Sequence, residues 1–423
     1  MARINVKAVE KKIMETPIPA VKRVALAYSG GLDSTLAVEL LRRKFNVADK
    51  NIIPINVDVG QGKEDQDKAK DNAKILKIKP VWLDARKEFT EQWLGKAIRA
   101  NSNYNGYPCS TSMTRQLIAR IVAQEARKRG CDAVMEGSTG KGNDQYRMHN
   151  TFMTFAPELT VLCPVRDFDL GRAEEEAICK AWGVPVDEMI SGGDDKTMWC
   201  RSIASGAVDL NQELPAKIWI WLVPPEKARK RPEYVDIEFV EGLPVRLNGK
   251  ELALDKLVEK LNFIAGRNGI GRIDMFEDGI MGLKSREIYE APAAHVILKL
   301  HSDLEQACIT SQEIQFKKGV DAKWAQMVYG GEWYHPLKDA LDAFVASTQK
   351  VVNGKYKVKL YKGNIEIVKR ELPTSLFSPE IRSIKAGGFD QRWSHDAAKV
   401  RGIRFEILAK RKQVMRKLKR GKK

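Results

Sequence analysis

The chain has 423 residues, 43% hydrophobic and 30% charged, which supports two folded domains and excludes a disordered or low-complexity protein. The formal net charge is +17, but residues 410–423 carry nine Lys or Arg and no acid, so about half the excess is one terminal run; such a run is ordinarily a solvated end or an oligomer-packing helix, and a nucleic-acid partner is not expected from it. Six scattered cysteines without a CxxC pair argue against a disulfide framework or zinc site. With no signal-peptide core and no apolar run near the roughly 18–20 residues of a membrane span, the expectation is a cytoplasmic protein without membrane contact.

Residues 1–20 read as an N-terminal extension ending at Pro17 and Pro19. Over 21–190, β and α patterns alternate. A strand is predicted at 24–28, a helix at 34–43, a strand at 52–58, a charged helix at 63–77 and a strand at 80–84. Helices follow at 87–100 and 112–129, then a strand at 132–136 that runs into a polar loop. Each strand ends in glycine or polar residues. The pattern predicts an α/β nucleotide-binding domain with a parallel, doubly wound sheet and ligands at the carboxyl ends of its strands. Over 191–400 the grammar changes. Residues 234–240 alternate strictly, turn at Gly242 and return through 244–247 to an Asn248-Gly249 turn. A helix at 252–264 and a hairpin at 356–368 about Gly363-Asn364 complete a second, α+β domain with its tryptophans in the core. Residues 401–423 read as a basic C-terminal helix.

Two glycine-bearing loops carry the chemistry. SGGLDS, residues 29–34, joins the first strand to the first helix. Gly30 and Gly31 let the backbone approach a ligand, Ser29 and Ser34 add hydroxyls, and the following helix points its positive end at an anion. It is neither a Walker A loop nor GxGxxG. A plain capped turn is the competing reading, but adjacent glycines are costly unless the backbone must come close to something. The second loop, EGSTGKGNDQYR at 136–147, crowds glycines, hydroxyls, Lys141, an Asn-Asp pair and Arg147 at a strand end. Thr139, Asn143 and Asp144 suit the two charged groups of an amino acid, and Arg147 suits a second carboxylate.

SGGLDS resembles the pyrophosphate loop of the N-type ATP pyrophosphatases, which have the adenine nucleotide α-hydrolase-like fold. TGKGNDQYR at 139–147 resembles the signature of the argininosuccinate synthase family. YPCSTSMTR at 107–115, EDGIMGLKSREIYE at 277–290, LYKGN at 360–364 and RID at 272–274 are similar to that family too, so the likeness runs along nearly the whole chain. The resemblance implies an ATP-dependent C–N ligase that activates citrulline as an adenylate, joins it to aspartate, releases AMP and pyrophosphate, uses Mg2+ and forms a homotetramer. It implies ATP contacts from Ala27, Tyr28, Ser29, Gly30, Gly31, Leu32, Asp33, Ser34, Thr35, Val57 and Gly137. Aspartate would meet Thr139, Asn143 and Asp144. Citrulline would meet Tyr107, Ser112, Asn143, Arg147, Ser202, Glu277 and Tyr289. Asp33, Arg115 and Asp144 are the catalytic candidates, with Asp33 beside the magnesium. The five histidines show no metal-ligand spacing, so no protein-built metal site is expected.

Two positions depart from the family pattern. Gly193 stands where a serine is usual, with Ser191 or Thr197 as stand-ins, which leaves another ureido or amide acceptor open. Glu136 stands where many members carry histidine, and adds negative charge near the phosphates unless Lys141 or magnesium pairs with it. The alternative of a different class, a tRNA-modifying enzyme, lacks a suitably spaced cysteine pair.

Overall fold

The structure is a computed structural model that describes residues 4–185, 195–205, 210–211, 213–382 and 388–420. It divides into two units, Met1–Thr374 and Ser375–Lys423.

Strands β1 (Val24–Ala27), β2 (Ile52–Asp58), β3 (Val81–Asp84), β4 (Ala133–Met135) and β5 (Thr160–Leu162) form a parallel sheet ordered β3-β2-β1-β4-β5. Side chains alternate along a strand, so Val24 and Leu26 enter one apolar cluster and Ala25 the other. Both faces therefore need helical cover. The helices of this half are α1 (Val6–Glu15), α2 (Leu32–Arg43), α3 (Lys63–Ile75), α4 (Arg86–Glu88), α5 (Gly95–Arg99), α6 (Thr111–Lys128), α7 (Asp144–Phe155), α8 (Pro164–Asp167) and α9 (Arg172–Trp182). Residues of α1, α2, α3, α8 and α9 cover one face, and α5, α6 and α7 the other. A π-helical turn, Phe89–Leu94, interrupts the helix expected over 87–100. The N-terminal twenty residues carry α1, whose Val9 and Ile13 are buried and whose Lys12 ammonium reaches Glu174 at 3.1 Å.

Beyond residue 190 the sheets are antiparallel. β6 (Asp195–Lys196) and β7 (Arg201–Ser205) join the later β11 (Arg272–Asp278) and β12 (Lys284–Glu290) in the order β11-β12-β7-β6. β8 (Glu233–Val240), β9 (Leu243–Leu247) and β10 (Lys250–Glu251) continue into β13 (Gly354–Tyr361) and β14 (Asn364–Glu371). On β8 the alternation buries Val235, Ile237 and Phe239. The last hairpin turns at Lys362-Gly363, φ +45° and +83°, one residue before the expected Gly-Asn. Lysine seldom takes a left-handed conformation, so the local signal favoured the wrong pair. Helices α10 (Leu254–Gly266), α11 (Pro292–Cys308), α12 (Ser311–Tyr329) and α13 (Pro336–Gln349) pack in this half; α14 (Pro379–Arg382) and α15 (Trp393–Arg420) belong to the second unit. Trp199, Trp219, Trp324 and Trp333 are buried, but Trp393 is exposed on α15, against the expectation that such tryptophans are core.

Candidate active site

β1 lies between β2 and β4, so the chain leaves β1 to one side of the sheet and crosses later to the other. The carboxyl ends of β1 and β4 bound the crevice that this reversal opens. The SGGLDS loop follows β1, and the 136–143 loop follows β4. At Gly30, φ is +80° and an added Cβ would lie 2.5 Å from the Ala69 Cα of α3, so only glycine fits. A Cβ on Gly137 would lie 2.9 Å from the Asp33 Cβ. The two loops are in direct contact.

In the first loop, the Gly30 and Gly31 N–H groups donate to the Ser34 and Ser29 hydroxyls at 3.1 and 3.2 Å. Gly31 caps α2 without a side-chain bond, so no capping side chain takes up the first-turn N–H groups. Asp33 is half-buried and accepts from Arg172 at 2.8 Å. The Tyr28 hydroxyl donates to the Ala69 carbonyl at 3.1 Å, and Thr35 donates to the Gly31 carbonyl. Leu32 and Val57 are buried and Ala27 is half-buried. Tyr28, Leu32, Thr35 and Val57 thus turn their side chains into the protein.

In the second loop, Gln145 donates to the carbonyls of Gly140 and Gly142 at 2.8 and 3.2 Å, which holds the glycine-rich turn above α7. Thr139 and Lys141 are exposed. The Asp144 carboxylate is shared, one oxygen accepting from Arg115 and the other from Arg147, each at 2.8 Å. Burial pushes this carboxyl up, but the two guanidinium groups outweigh it and hold it below the usual aspartate range. Arg115 also pairs with Asp195 on β6.

A third cluster is built from residues of both halves of the chain. Tyr107 is buried and stacks on Tyr289 with ring centroids 4.7 Å apart. Its hydroxyl accepts from the N–H groups of Ser110 and Ser112 at 2.7 and 3.3 Å. Tyr289 stands opposite Ser202 across β12 and β7, and donates to Glu277. Burial and the Glu277 charge push the Tyr289 phenol well up, so it stays a donor. Asn143 accepts from Ile280 N–H at 2.8 Å. The Ser112 hydroxyl is buried and has no hydrogen-bond partner among the described residues.

Glu136 does not pair with Lys141. It is buried and accepts from Ser138 N–H at 2.7 Å, and burial pushes its carboxyl up. The Thr197 hydroxyl is committed to Ser110 at 2.6 Å and accepts from Trp199 N–H at 3.0 Å, so it does not stand in for the missing serine. Gly193 and Ser191 lie outside the described residues. Arg172, Asp195 and Tyr329 also join the site. No motif singled them out, because each faces a partner far along the chain.

Sequence models of the arginosuccinate synthase N-terminal HUP domain and C-terminal domain match residues 23–185 and 193–408. The argininosuccinate synthase of Methanococcus maripaludis is 42% identical over 390 residues, covering 91% of this chain and 98% of that protein. The chain belongs to the argininosuccinate synthase family. The family's protein from Methanopyrus kandleri is 40% identical over 394 residues, covering 92% and 99% of the two chains. The one from Pyrococcus furiosus is 42% identical over 374 residues, covering 88% and 90%. An NH3-dependent NAD synthetase structure from Campylobacter jejuni covers 43% of this chain and 75% of that one at 15% identity and a TM-score of 0.31, a likeness too slight to carry weight. In this argininosuccinate synthase family member the parallel sheet is the HUP part, and the enzyme is an ATP-dependent ligase.

Proposed function

We propose that this enzyme joins citrulline to aspartate through a citrullyl-adenylate. The ureido oxygen of citrulline attacks the α-phosphorus of ATP and pyrophosphate leaves. The aspartate amine then attacks the ureido carbon, gives up a proton, and AMP departs with that oxygen. The reading rests above all on the contact between the two loops, with Gly137 against Asp33, because a nucleotide and two amino acids must share one crevice. Positioning and electrostatics supply most of the rate in such a reaction.

In this reading the phosphates lie over Ser29, Gly30, Gly31 and Ser34 at the start of α2, where the positive end of the helix favours anions. The buried residues Tyr28, Leu32, Thr35 and Val57, with Ala27 and Gly137, contribute walls and backbone to the nucleotide site. Asp33 suits Mg2+, a hard cation that needs only one or two carboxylates when phosphates and water complete its shell; bound there, magnesium would neutralise phosphate charge. Arg115 keeps Asp144 ionised, and Asp144 with Thr139 and Asn143 receives aspartate. Citrulline lies against Tyr107, Ser112, Ser202 and Tyr289, with Glu277, Asn143 and Arg147 on its amino-acid end. Family membership supports a homotetramer, and six free buried thiols support a reducing, cytoplasmic setting.

Purified enzyme given ATP, Mg2+, citrulline and aspartate is expected to release pyrophosphate and form argininosuccinate. Pyrophosphate release that does not depend on citrulline overturns the acceptor; faster release with another ureido compound reassigns it.

A further inference from the structure

Tyr329 ends α12 and is buried where both halves of the site meet. Its ring stacks on Tyr104 with centroids 3.8 Å apart, and the Arg147 guanidinium lies 4.8 Å from its centroid. Its carbonyl accepts from Arg147 Nε at 3.0 Å. Its hydroxyl accepts from Asn143 Nδ2 at 2.8 Å and lies 2.6 Å from Glu277 Oε2.

The direction of each bond follows from the donors present. Asn143 Oδ1 accepts from Ile280 N–H, so the amide turns its NH2 toward Tyr329. A phenol that accepts this bond has one proton left, and it goes to Glu277. Tyr289 donates to the other Glu277 oxygen. One hydroxyl therefore links the amide and the carboxylate, while the same residue's ring and carbonyl hold Arg147.

We infer that Tyr329 is a positioning residue for the amino-acid end of the acceptor. The inference rests on the assignment of Asn143, Arg147 and Glu277 to citrulline. By fixing Glu277 against Asn143 before the ligand arrives, the hydroxyl spares the ligand the cost of ordering them. Tyr329→Phe isolates this effect, because it keeps the ring stack, the cation over the ring and the backbone bond to Arg147.

Steady-state kinetics on the full-length variant are expected to show citrulline KM raised about tenfold or more, the usual weight of a hydrogen bond to a charged group. The ATP KM and melting temperature should stay near wild type. Unchanged citrulline KM overturns the inference, and so does a parallel loss for ATP and citrulline with a lowered melting temperature, which marks a structural role. The double variant Tyr329→Phe with Glu277→Gln gives an independent check: its citrulline KM should be no worse than that of Glu277→Gln alone. Fully additive losses overturn the link through Glu277. Wild-type enzyme without citrulline-dependent pyrophosphate release would fell the underlying functional reading instead, and the inference with it.

Discussion

At Gly30 the backbone has room for no side chain. Gly30→Ala must accept φ +80° and a contact at 2.5 Å with the α3 backbone. Strain and overpacking together predict a loss of about 3 kcal/mol or more in thermal unfolding. Gly62 also has positive φ, +106°, but among the described residues nothing lies within 4 Å of an added Cβ, so Gly62→Ala should cost only the roughly 1–3 kcal/mol of backbone strain. Equal losses at the two sites would contradict this account. Glu175 makes a second residue-scale case. It is buried on α9, and burial, reinforced by the negative charge of Asp33, pushes its carboxyl up to about 9. An acid with a raised folded value binds its proton more tightly when folded, so its contribution to stability falls as pH rises from about 4.3 toward about 9. Glu175→Gln should therefore stabilise the enzyme at pH 8, by about 1 kcal/mol or more, and much less at pH 4. Melting curves at the two values test the sign. The glycine pair was legible as a local motif. The Glu175–Asp33 relation was not, because it joins α9 to α2.

At the scale of elements, β12 holds the turn before β8 through one side chain. The Glu290 carboxylate accepts from the N–H groups of Ile220, Trp221 and Leu222 at 2.9, 2.9 and 3.0 Å, and from Arg201. Both charged partners are buried. Glu290→Ala would take the carboxylate away from a buried guanidinium and from three N–H groups, with an expected loss of about 3–5 kcal/mol. A loss below 1 kcal/mol in denaturant titration would refute that. α1 is a comparable case. Its Ile13 is fully buried against the first domain, so Ile13→Ala should cost roughly 2–5 kcal/mol, measurable in the same titration. The β and α grammar of both halves was readable from periodicity. The packing of α1 was not, because its apolar positions are few and its partner helix is encoded far away.

Across the whole molecule, the apolar clusters lie within Met1–Thr374, while α15 exposes Val400, Ile403, Ile407, Val414 and Leu418 at helical spacing. A helix with such a stripe and a basic remainder suits packing against another subunit. The full chain is expected near four times its 47.7 kDa mass in light scattering. Removing residues 375–423 should lower the assembly size while the remaining unit still melts cooperatively. An unchanged mass would exclude this helix as the assembly element.

The sequence by itself determined the alternating parallel domain, the antiparallel half and both glycine-bearing loops. These are local properties: strand and helix periodicity, and backbone conformations that only certain residues tolerate. Tertiary structure alone decided that Tyr329 meets Asn143 from 186 positions away, that Asp195 meets Arg115, and that Thr197 is already engaged. Such contacts exist only after the helices and sheets have packed, and an isolated tyrosine or aspartate carries no local sign of the partner it will face.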